Sequence, residues 1–569
     1  MKFTHLLCLL LLTCPAAAQP AAKAVKPARN IIIFVADGLR YGSVEPGNMP
    51  NMYRLKTEGV DFTNSHSLFP TITTVNASAI ATGHYIGDTG NFGNTLFTGM
   101  PMQSGSGSTL AGLENNAVLA EMNQKFGGNY LNEDTIIARA RAQGFNTAVI
   151  GKLGPTRILD STAAPDGSQT LILDDTTGHE GGIGLPEWFA AGMKAGLLGG
   201  GAPAAQVPNI PQQVWLMNAT TRIVLPHFAQ TGKPFALLFW SRDPDMSQHN
   251  TRDSLGETEP GINGPSGKAG TRDADTMLGE LRAALKRQGL DKNTDIFVTA
   301  DHGFLTISHD SKTSLSARDG QIAAGFLASD LAEALKLPQL NNATLGSDPQ
   351  APEVVVAGNG GADLIYLPKN NAAQLAGSIV KFLATQDYVG AIFVNDRLGK
   401  FPGALSMSDL NLMGSAKTPA PSIYVSFRSV AGGCPNKLQC AVGFHDTGLA
   451  TGQGSHGSLS RAETRNFMAA IGPDFKSRFA DPAPVSNADI APTLAQVAGI
   501  TLPAKGNLKG RVISEALTGG GKVTAVKRTI QSAPAENGAR TILNFQQVGE
   551  QRYFDAAGFA GKAVGLVPP

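Results

Sequence analysis

Apolar runs closed by polar or glycine-rich segments recur along this chain, and their period predicts most of its elements. Residues 30–38, "NIIIFVADG", form a continuous apolar run ending in Asp and Gly, the pattern of a strand buried on both faces. "MPNMYRLKTEGVDF" (49–62) predicts a short helix closed by Gly59, followed by a strand. Residues 133–152, "EDTIIARARAQGFNTAVIGK", repeat that order, with Asp134 as the helix cap, Gly144 as its stop and "NTAVIG" as the strand. "KPFALLFWSRDPD" (233–245) adds a strand with polar residues at its end. Residues 273–303 read as an amphipathic helix running into a strand that ends in Asp-His-Gly, and 487–500 as a late helix with Asp489 near its start.

Strands alternating with helices predict an α/β fold: a mostly parallel central sheet with helices on both faces. In such sheets the polar residues just past the C-terminal strand ends converge on one crevice. Asp37, Asp245, Asp301 and His302 hold such positions. The pattern loosens between 305 and 430, which reads as a small α+β insertion dividing the core into 30–304 and 431–515. The Gly/Pro-rich stretch 254–270 reads as a surface loop, and residues 516–569 show no clear periodicity.

The N-terminus changes the picture of where the chain works. A lysine, an apolar run from Leu6 to Leu12 and the small residues Ala16 to Ala18 predict a signal peptide over 1–18, then a linker over 19–29. The run is too short to span a bilayer, and no later segment is apolar for long enough. The chain is therefore expected to be secreted or periplasmic. Lipidation at Cys14 ranks second, because Thr13 stands where a smaller residue is usual. In an oxidising compartment, Cys434 and Cys440 are expected to close a small disulfide loop; no second Cys/His pair stands beside them to make a zinc knuckle. With 42% hydrophobic residues, 16% charged residues and a net charge of +1, the chain carries no nucleic-acid-binding signature.

The candidate chemistry lies in a set of Asp and His residues. Asp245 and His249 are four apart, so one helical turn aims both at a single cation. Asp301 and His302 are adjacent at a strand end, His456 sits in the Gly/Ser-rich "GQGSHGS", and Asp37 completes three carboxylates and three imidazoles. Each residue alone has an ordinary explanation as a turn or a solvated side chain. Together, the mixed oxygen and nitrogen set suits two Zn²⁺ ions better than Mg²⁺.

In "FVADGLR", "FPTITTVNASAIATGHYIGDTGNFGN", "DPDMSQHN", "VTADHGF", "GSHGS" and "NADIAPTLAQVAGI", the chain resembles the alkaline phosphatase superfamily, in particular its type I phosphodiesterase and nucleotide pyrophosphatase branch. The likeness runs from about residue 30 to 515 apart from the insertion. It implies an alkaline-phosphatase-like fold and two zinc ions per chain, one held by Asp245, His249 and His456, the other by Asp37, Asp301, His302 and the oxygen of Thr73. It further implies that Thr73 is the nucleophile of a phospho-threonine mechanism and that Asn94 donates to a phosphoryl oxygen, leaving Thr71 and Thr74 structural. The chemistry is consistent, because an alcohol is hardly ionised near pH 7 and needs a metal to activate it.

Two departures matter. Thr74-Val75 replaces the usual Phe-Pro after the nucleophile and is expected to reshape the wall around the leaving group. Lys152, in "AVIGKLGPTR", stands where monoesterases of the superfamily often place a cation, with Arg157 close behind; its ordinary alternative is a solvated strand-end lysine. A phosphodiesterase or nucleotide pyrophosphatase acting on a small phosphate ester or nucleotide is the first expectation. A phosphomonoesterase using Lys152 is the alternative, and a non-catalytic binding protein a remote one, since every ligand position is filled. Sulfatases need a modified Cys or Ser in a C/S-x-P-x-R motif that "TITTV" lacks, and cytoplasmic Ser/Mn phosphoglycerate mutases conflict with the signal peptide.

Overall fold

A computed structural model describes residues 29–316 and 322–568; the expected signal peptide, its Cys14 and most of the linker lie outside the described residues. Eight strands build the central sheet: β1 (Asn30–Ala36), β2 (Val60–Phe62), β3 (Asn146–Gly151), β4 (Leu171–Leu173), β5 (Phe235–Ser241), β6 (Thr294–Thr299), β7 (Met468–Ile471) and β8 (Phe479–Asp481). Their spatial order is β8-β2-β7-β6-β1-β5-β3-β4. Pairing is parallel from β6 through β1, β5 and β3 to β4, and again between β2 and β8. β7 runs antiparallel to both β2 and β6, so the sheet is mixed.

The continuous apolar runs follow from burial on two faces. Ile31, Ile33 and Val35 of β1 point into one layer, packed by the helices Thr73–Thr82, Asn116–Lys125, Ile136–Ala142 and Ile490–Ala498. Ile32, Phe34 and Ala36 point into the other, packed by Pro50–Glu58, Ile210–Ala219, Leu225–Thr231 and Pro265–Arg287. Phe34 stacks on its register partner Phe239 across β1 and β5 at 5.5 Å between ring centroids.

Two local expectations need correction. The cap of the helix Ile136–Ala142 is Thr135, whose hydroxyl accepts from the Ala138 amide at 3.2 Å, not Asp134. The stretch 254–270 is not all loop, because the long helix begins at Pro265. Its glycines are packing contacts: a Cβ at Gly270 would lie 2.6 Å from the Ser247 Cβ, so glycine lets this helix close onto the turn Asp245–His249.

A second sheet of six strands spans Thr344–Leu345 to Ile423–Phe427, antiparallel except where Val389–Val394 meets Leu405–Ser406. The helices Phe326–Leu335 and Ala372–Leu383 cover one of its faces. The other face shares a core with Ile72, Val75 and Ala79 around the helix Thr73–Thr82. Residues 516–569, which show no periodicity in the sequence, contribute a three-stranded antiparallel sheet, Val526–Gln531, Ile542–Val548 and Gln551–Gly558, packed into that same core. Cys434 and Cys440 are bonded, with their Cα atoms 5.9 Å apart. No helix among the described residues is long and apolar enough to cross a membrane.

Candidate active site

Four neighbouring strands of the central sheet, β6, β1, β5 and β3, end at one crevice, and each delivers polar side chains just past its last residue. Asp37 follows β1, Lys152 follows β3, the helical turn Asp245–His249 follows β5, and Asp301 and His302 follow β6. The strand ends are tied to each other: the Asp245 amide donates to the Asp37 carbonyl at 2.9 Å, and the Gly38 amide to Asp301 Oδ1 at 3.0 Å. Gly38 has φ +70°, and a Cβ there would lie 2.8 Å from the Phe304 ring.

The three histidines are oriented alike. Nδ1 of His249 donates to the Gly454 carbonyl (2.9 Å), that of His302 to the Gly303 carbonyl (2.9 Å) and that of His456 to the Thr71 carbonyl (2.8 Å). A carbonyl only accepts, so each Nδ1 carries the proton; burial favours the neutral ring of His302 and His456, whose Nε2 then presents a lone pair, whereas Asp245 outweighs burial and raises His249. Those Nε2 atoms face carboxylate oxygens. Asp245 Oδ1 lies 3.2 Å from His249 Nε2 and 3.4 Å from His456 Nε2; His302 Nε2 lies 3.2 Å from Asp301 Oδ2 and 3.6 Å from Asp37 Oδ1. Asp37 Oδ1, Asp245 Oδ1 and Asp301 Oδ2 are buried and accept no hydrogen bond. Buried acceptors without donors, facing imidazole lone pairs, fit cations. Asp245, His249 and His456 form one group able to hold a metal, and Asp37, Asp245 and His302 another, so Asp245 lies between them.

Electrostatics leads to the same conclusion. Burial first, then the charge of Asp245, pushes Asp37 up to about 6, and burial with Asp37 beside it holds Asp301 well above the usual carboxylate range. Burial also opposes charge on Asp245, but Lys152 and His249 outweigh it and hold Asp245 well below that range. His302 is lowered to about 3 and His456 to about 4, chiefly by burial, which keeps both in the neutral, ligating form. Three clustered carboxylates with one lysine are short of positive charge.

The hydroxyl of Thr73 lies 3.3 Å from His302 Nε2 and 3.4 Å from Lys152 Nζ, on the first residue of the helix Thr73–Thr82. Its neighbours point elsewhere. Thr71 Oγ1 donates to the Ser458 carbonyl at 2.9 Å and Thr74 Oγ1 to the Gly93 carbonyl at 3.1 Å. Val75 is fully buried in the core shared with the second sheet. Asn94 accepts the Thr74 amide through Oδ1 at 3.0 Å, which leaves its NH₂ group as the free donor.

Lys152 is buried and its ammonium faces the carboxylates, at 3.0 Å from Asp37 Oδ2, 3.3 Å from Asp245 Oδ2 and 3.2 Å from Glu114 Oε1. Burial works against its charge, but Asp245, Asp37 and Glu114 outweigh it and hold the ammonium well above the ordinary lysine range. Arg157 does not join it, donating instead to the Ala163 carbonyl at 2.9 Å.

Several contributors escape a reading of the sequence. Trp240 Nε1 donates to Asp37 Oδ2 at 2.8 Å, although in sequence it is one more apolar residue of a buried strand. Asn359, in the second sheet, bonds the Thr95 backbone on both sides, accepting from N at 3.0 Å and donating to O at 2.9 Å, directly beside Asn94. The Gly361 amide donates to the His456 carbonyl at 2.8 Å. A third buried cluster, His84, Asp88 and Glu133, is different in kind. Asp88 accepts from His84 and from the amides of Ser415 and Leu508, and Glu133 from those of Lys505 and Gly506, so this cluster is a hydrogen-bonded tie.

No curated protein matches this chain. The family model of the type I phosphodiesterases / nucleotide pyrophosphatases matches residues 31–319, which include every strand end at the crevice, Thr73 and Asn94, but stop short of His456. The match takes in just over half of the 569 residues, and the chain belongs to the type I phosphodiesterase / nucleotide pyrophosphatase family, a family of phosphoric-ester hydrolases within the alkaline phosphatase superfamily.

Proposed function

We propose that this chain is an exported di-zinc hydrolase that cleaves small phosphodiesters or nucleotide pyrophosphates through a phospho-threonine intermediate on Thr73. The observation that carries the reading is the common orientation of the three histidines, with Nδ1–H fixed on carbonyls and Nε2 facing carboxylate oxygens that lack donors. Asp245, His249 and His456 would hold one zinc ion, and Asp37, Asp301, His302 and Thr73 Oγ1 the other. Bound there, the metal supplies the Lewis acidity that turns a threonine hydroxyl into a nucleophile and stabilises the departing oxygen.

The chain's own groups account for the rest. Thr73 Oγ1 attacks phosphorus; the Oγ1–P bond forms as the bond to the leaving oxygen breaks. Asn94, its carbonyl engaged by the Thr74 amide, turns its NH₂ toward a phosphoryl oxygen. The helix Thr73–Thr82 begins at Thr73, so the positive end of its dipole would also face the anion, with the Thr74 amide already held by Asn94 Oδ1. Water then cleaves the Oγ1–P bond and regenerates Thr73. The second reading, a phosphomonoesterase, is favoured by Lys152 Nζ standing 3.4 Å from Thr73 Oγ1.

Comparing bis-p-nitrophenyl phosphate, p-nitrophenyl phosphate and a nucleotide phosphodiester tests the reading. The diesters are expected to give the higher kcat/KM, and enzyme acid-quenched with bis-p-nitrophenyl phosphate is expected to carry the retained p-nitrophenyl phosphate group on the peptide containing Thr73. Faster monoester turnover selects the second reading. No hydrolysis of any ester by zinc-loaded protein refutes both.

A further inference from the structure

Among the described residues, Glu114 is a carboxylate at the crevice that neither the ligand set nor the nucleophile explains. It follows the hairpin Thr95–Met102 and Ser108–Gly112, which leaves the core immediately after Asn94 and closes where the Leu113 amide donates to the Asn94 carbonyl at 2.8 Å. Glu114 thus stands beside Asn94, with Oε1 3.2 Å from Lys152 Nζ. The loop after Lys152 is shaped around it. Gly154 has φ +92°, and a Cβ there would lie 2.9 Å from the Glu114 Cα and 3.2 Å from its Cγ. Only glycine permits that approach.

An ammonium has three N–H groups: those of Lys152 donate to Asp37, Asp245 and Thr73 Oγ1, and Glu114 Oε1 pairs with the same charge at 3.2 Å. The first two carboxylates are buried, whereas the Glu114 side chain is 39% exposed, so it alone can release. A phosphoryl oxygen approaching Lys152 competes with Glu114 for its charge. A dianionic monoester has more to gain from that charge than a monoanionic diester and so loses more when it is withheld, and Glu114 also repels the dianion more strongly.

Building on the hydrolase reading above, we propose that Glu114 sets the charge preference of the site for monoanionic phosphodiesters by pairing with the Lys152 ammonium and holding its charge back from the substrate. Glu114 acts through Lys152 and is a positioning residue. Glu114→Gln removes the charge but keeps the shape, and it is expected to raise the ratio of p-nitrophenyl phosphate to bis-p-nitrophenyl phosphate kcat/KM by about tenfold, between an exposed ion pair and a buried charged contact. Diester turnover itself is expected to change by less than about threefold. Adding Lys152→Ala to Glu114→Gln is expected to abolish the gain.

A binding arm needs no turnover. Calorimetry with zinc-loaded protein is expected to show Glu114→Gln tightening inorganic phosphate about tenfold and leaving dimethyl phosphate nearly unchanged. If the wild type hydrolyses neither ester, the hydrolase reading falls, while the phosphate titration still decides the role of Glu114. An unmoved phosphate affinity, an unmoved ester ratio, or a gain that survives Lys152→Ala overturns the proposal.

Discussion

Asp446→Asn tests how the second sheet is coupled to the core, and its sign depends on pH. Asp363 and Asp446 are both buried, on opposite sides of the junction, and the Oδ2 atom of each accepts no hydrogen bond. Burial, with Asp330 adding repulsion, raises Asp446 from 3.8 to about 6 despite the Gly325 amide donating to its Oδ1 at 2.6 Å. Burial and the neighbouring Asp446 hold Asp363 well above the usual range, so the two carboxyls share a proton. Below pH 3.8 the folded and unfolded states both keep the Asp446 proton, and the group costs nothing. Between 3.8 and about 6 only the folded state keeps it, so stability falls as pH rises. Above about 6 the cost is complete, and a gap of about two pKa units amounts to about 3 kcal/mol. An asparagine keeps the acceptor for Gly325 and gives Asp363 a permanent donor. Asp446→Asn is therefore expected to stabilise the protein by about 1–3 kcal/mol at pH 8 and by nearly nothing at pH 4. Urea denaturation of both proteins at the two pH values, in chelator so that metal affinity does not enter, measures the difference. An equal effect at both pH values, or destabilisation at pH 8, refutes the shared proton.

Three further outcomes are expected. Thr73→Ala is expected to lose nearly all ester hydrolysis with its zinc content unchanged in elemental analysis, while Thr71→Ala and Thr74→Ala are far milder per folded molecule; near-normal turnover by Thr73→Ala removes its assignment as nucleophile. Chelation is expected to abolish activity and added Zn²⁺ to restore it, with about two zinc ions per chain in active protein; fewer than about one contradicts the metal assignment. Reducing the Cys434–Cys440 bond is expected to raise hydrogen exchange in residues 431–446 and leave β1 and β5 unchanged, because the closed loop is short.

Much of the fold is legible because local pattern and burial agree. A strand buried on both faces needs an unbroken apolar run, and β1 and β5, seven residues each, are such runs apart from Asn30 at the start of one and Ser241 at the end of the other. Strand direction is not encoded that way. β7 is four residues long and returns after the second sheet, and nothing within "MAAI" says that it enters antiparallel between β2 and β6. The start of the long helix at Pro265 is hidden for another reason: "GPSGKAG" has the composition of a loop, yet its glycines serve a close helix contact that only the folded chain reveals. Asp134 and Thr135 are both sound capping residues, and their side-chain geometry alone separates them.

The candidate site divides along the same line. Asp37, Asp301 and His302 stand out in sequence because polar residues at the end of a buried strand need a reason. Trp240, Glu114 and Asn359 do not stand out, because each acts on a neighbour rather than on the crevice. Asn359 shows the consequence. It bonds the Thr95 backbone on both sides, while two residues later the Gly361 amide holds the His456 carbonyl. The hairpin turn of the second sheet therefore holds the backbone beside Asn94 and the backbone of His456. His456 lies beyond the segment that carries the family match, across the whole of the second sheet, and the chain must return to within 3.4 Å of Asp245 to place it. A sheet that merely capped the crevice would leave that return to a free loop, at a closure entropy that grows with its length. Packed against the helix Thr73–Thr82 and hydrogen-bonded to the His456 carbonyl, it fixes the return instead.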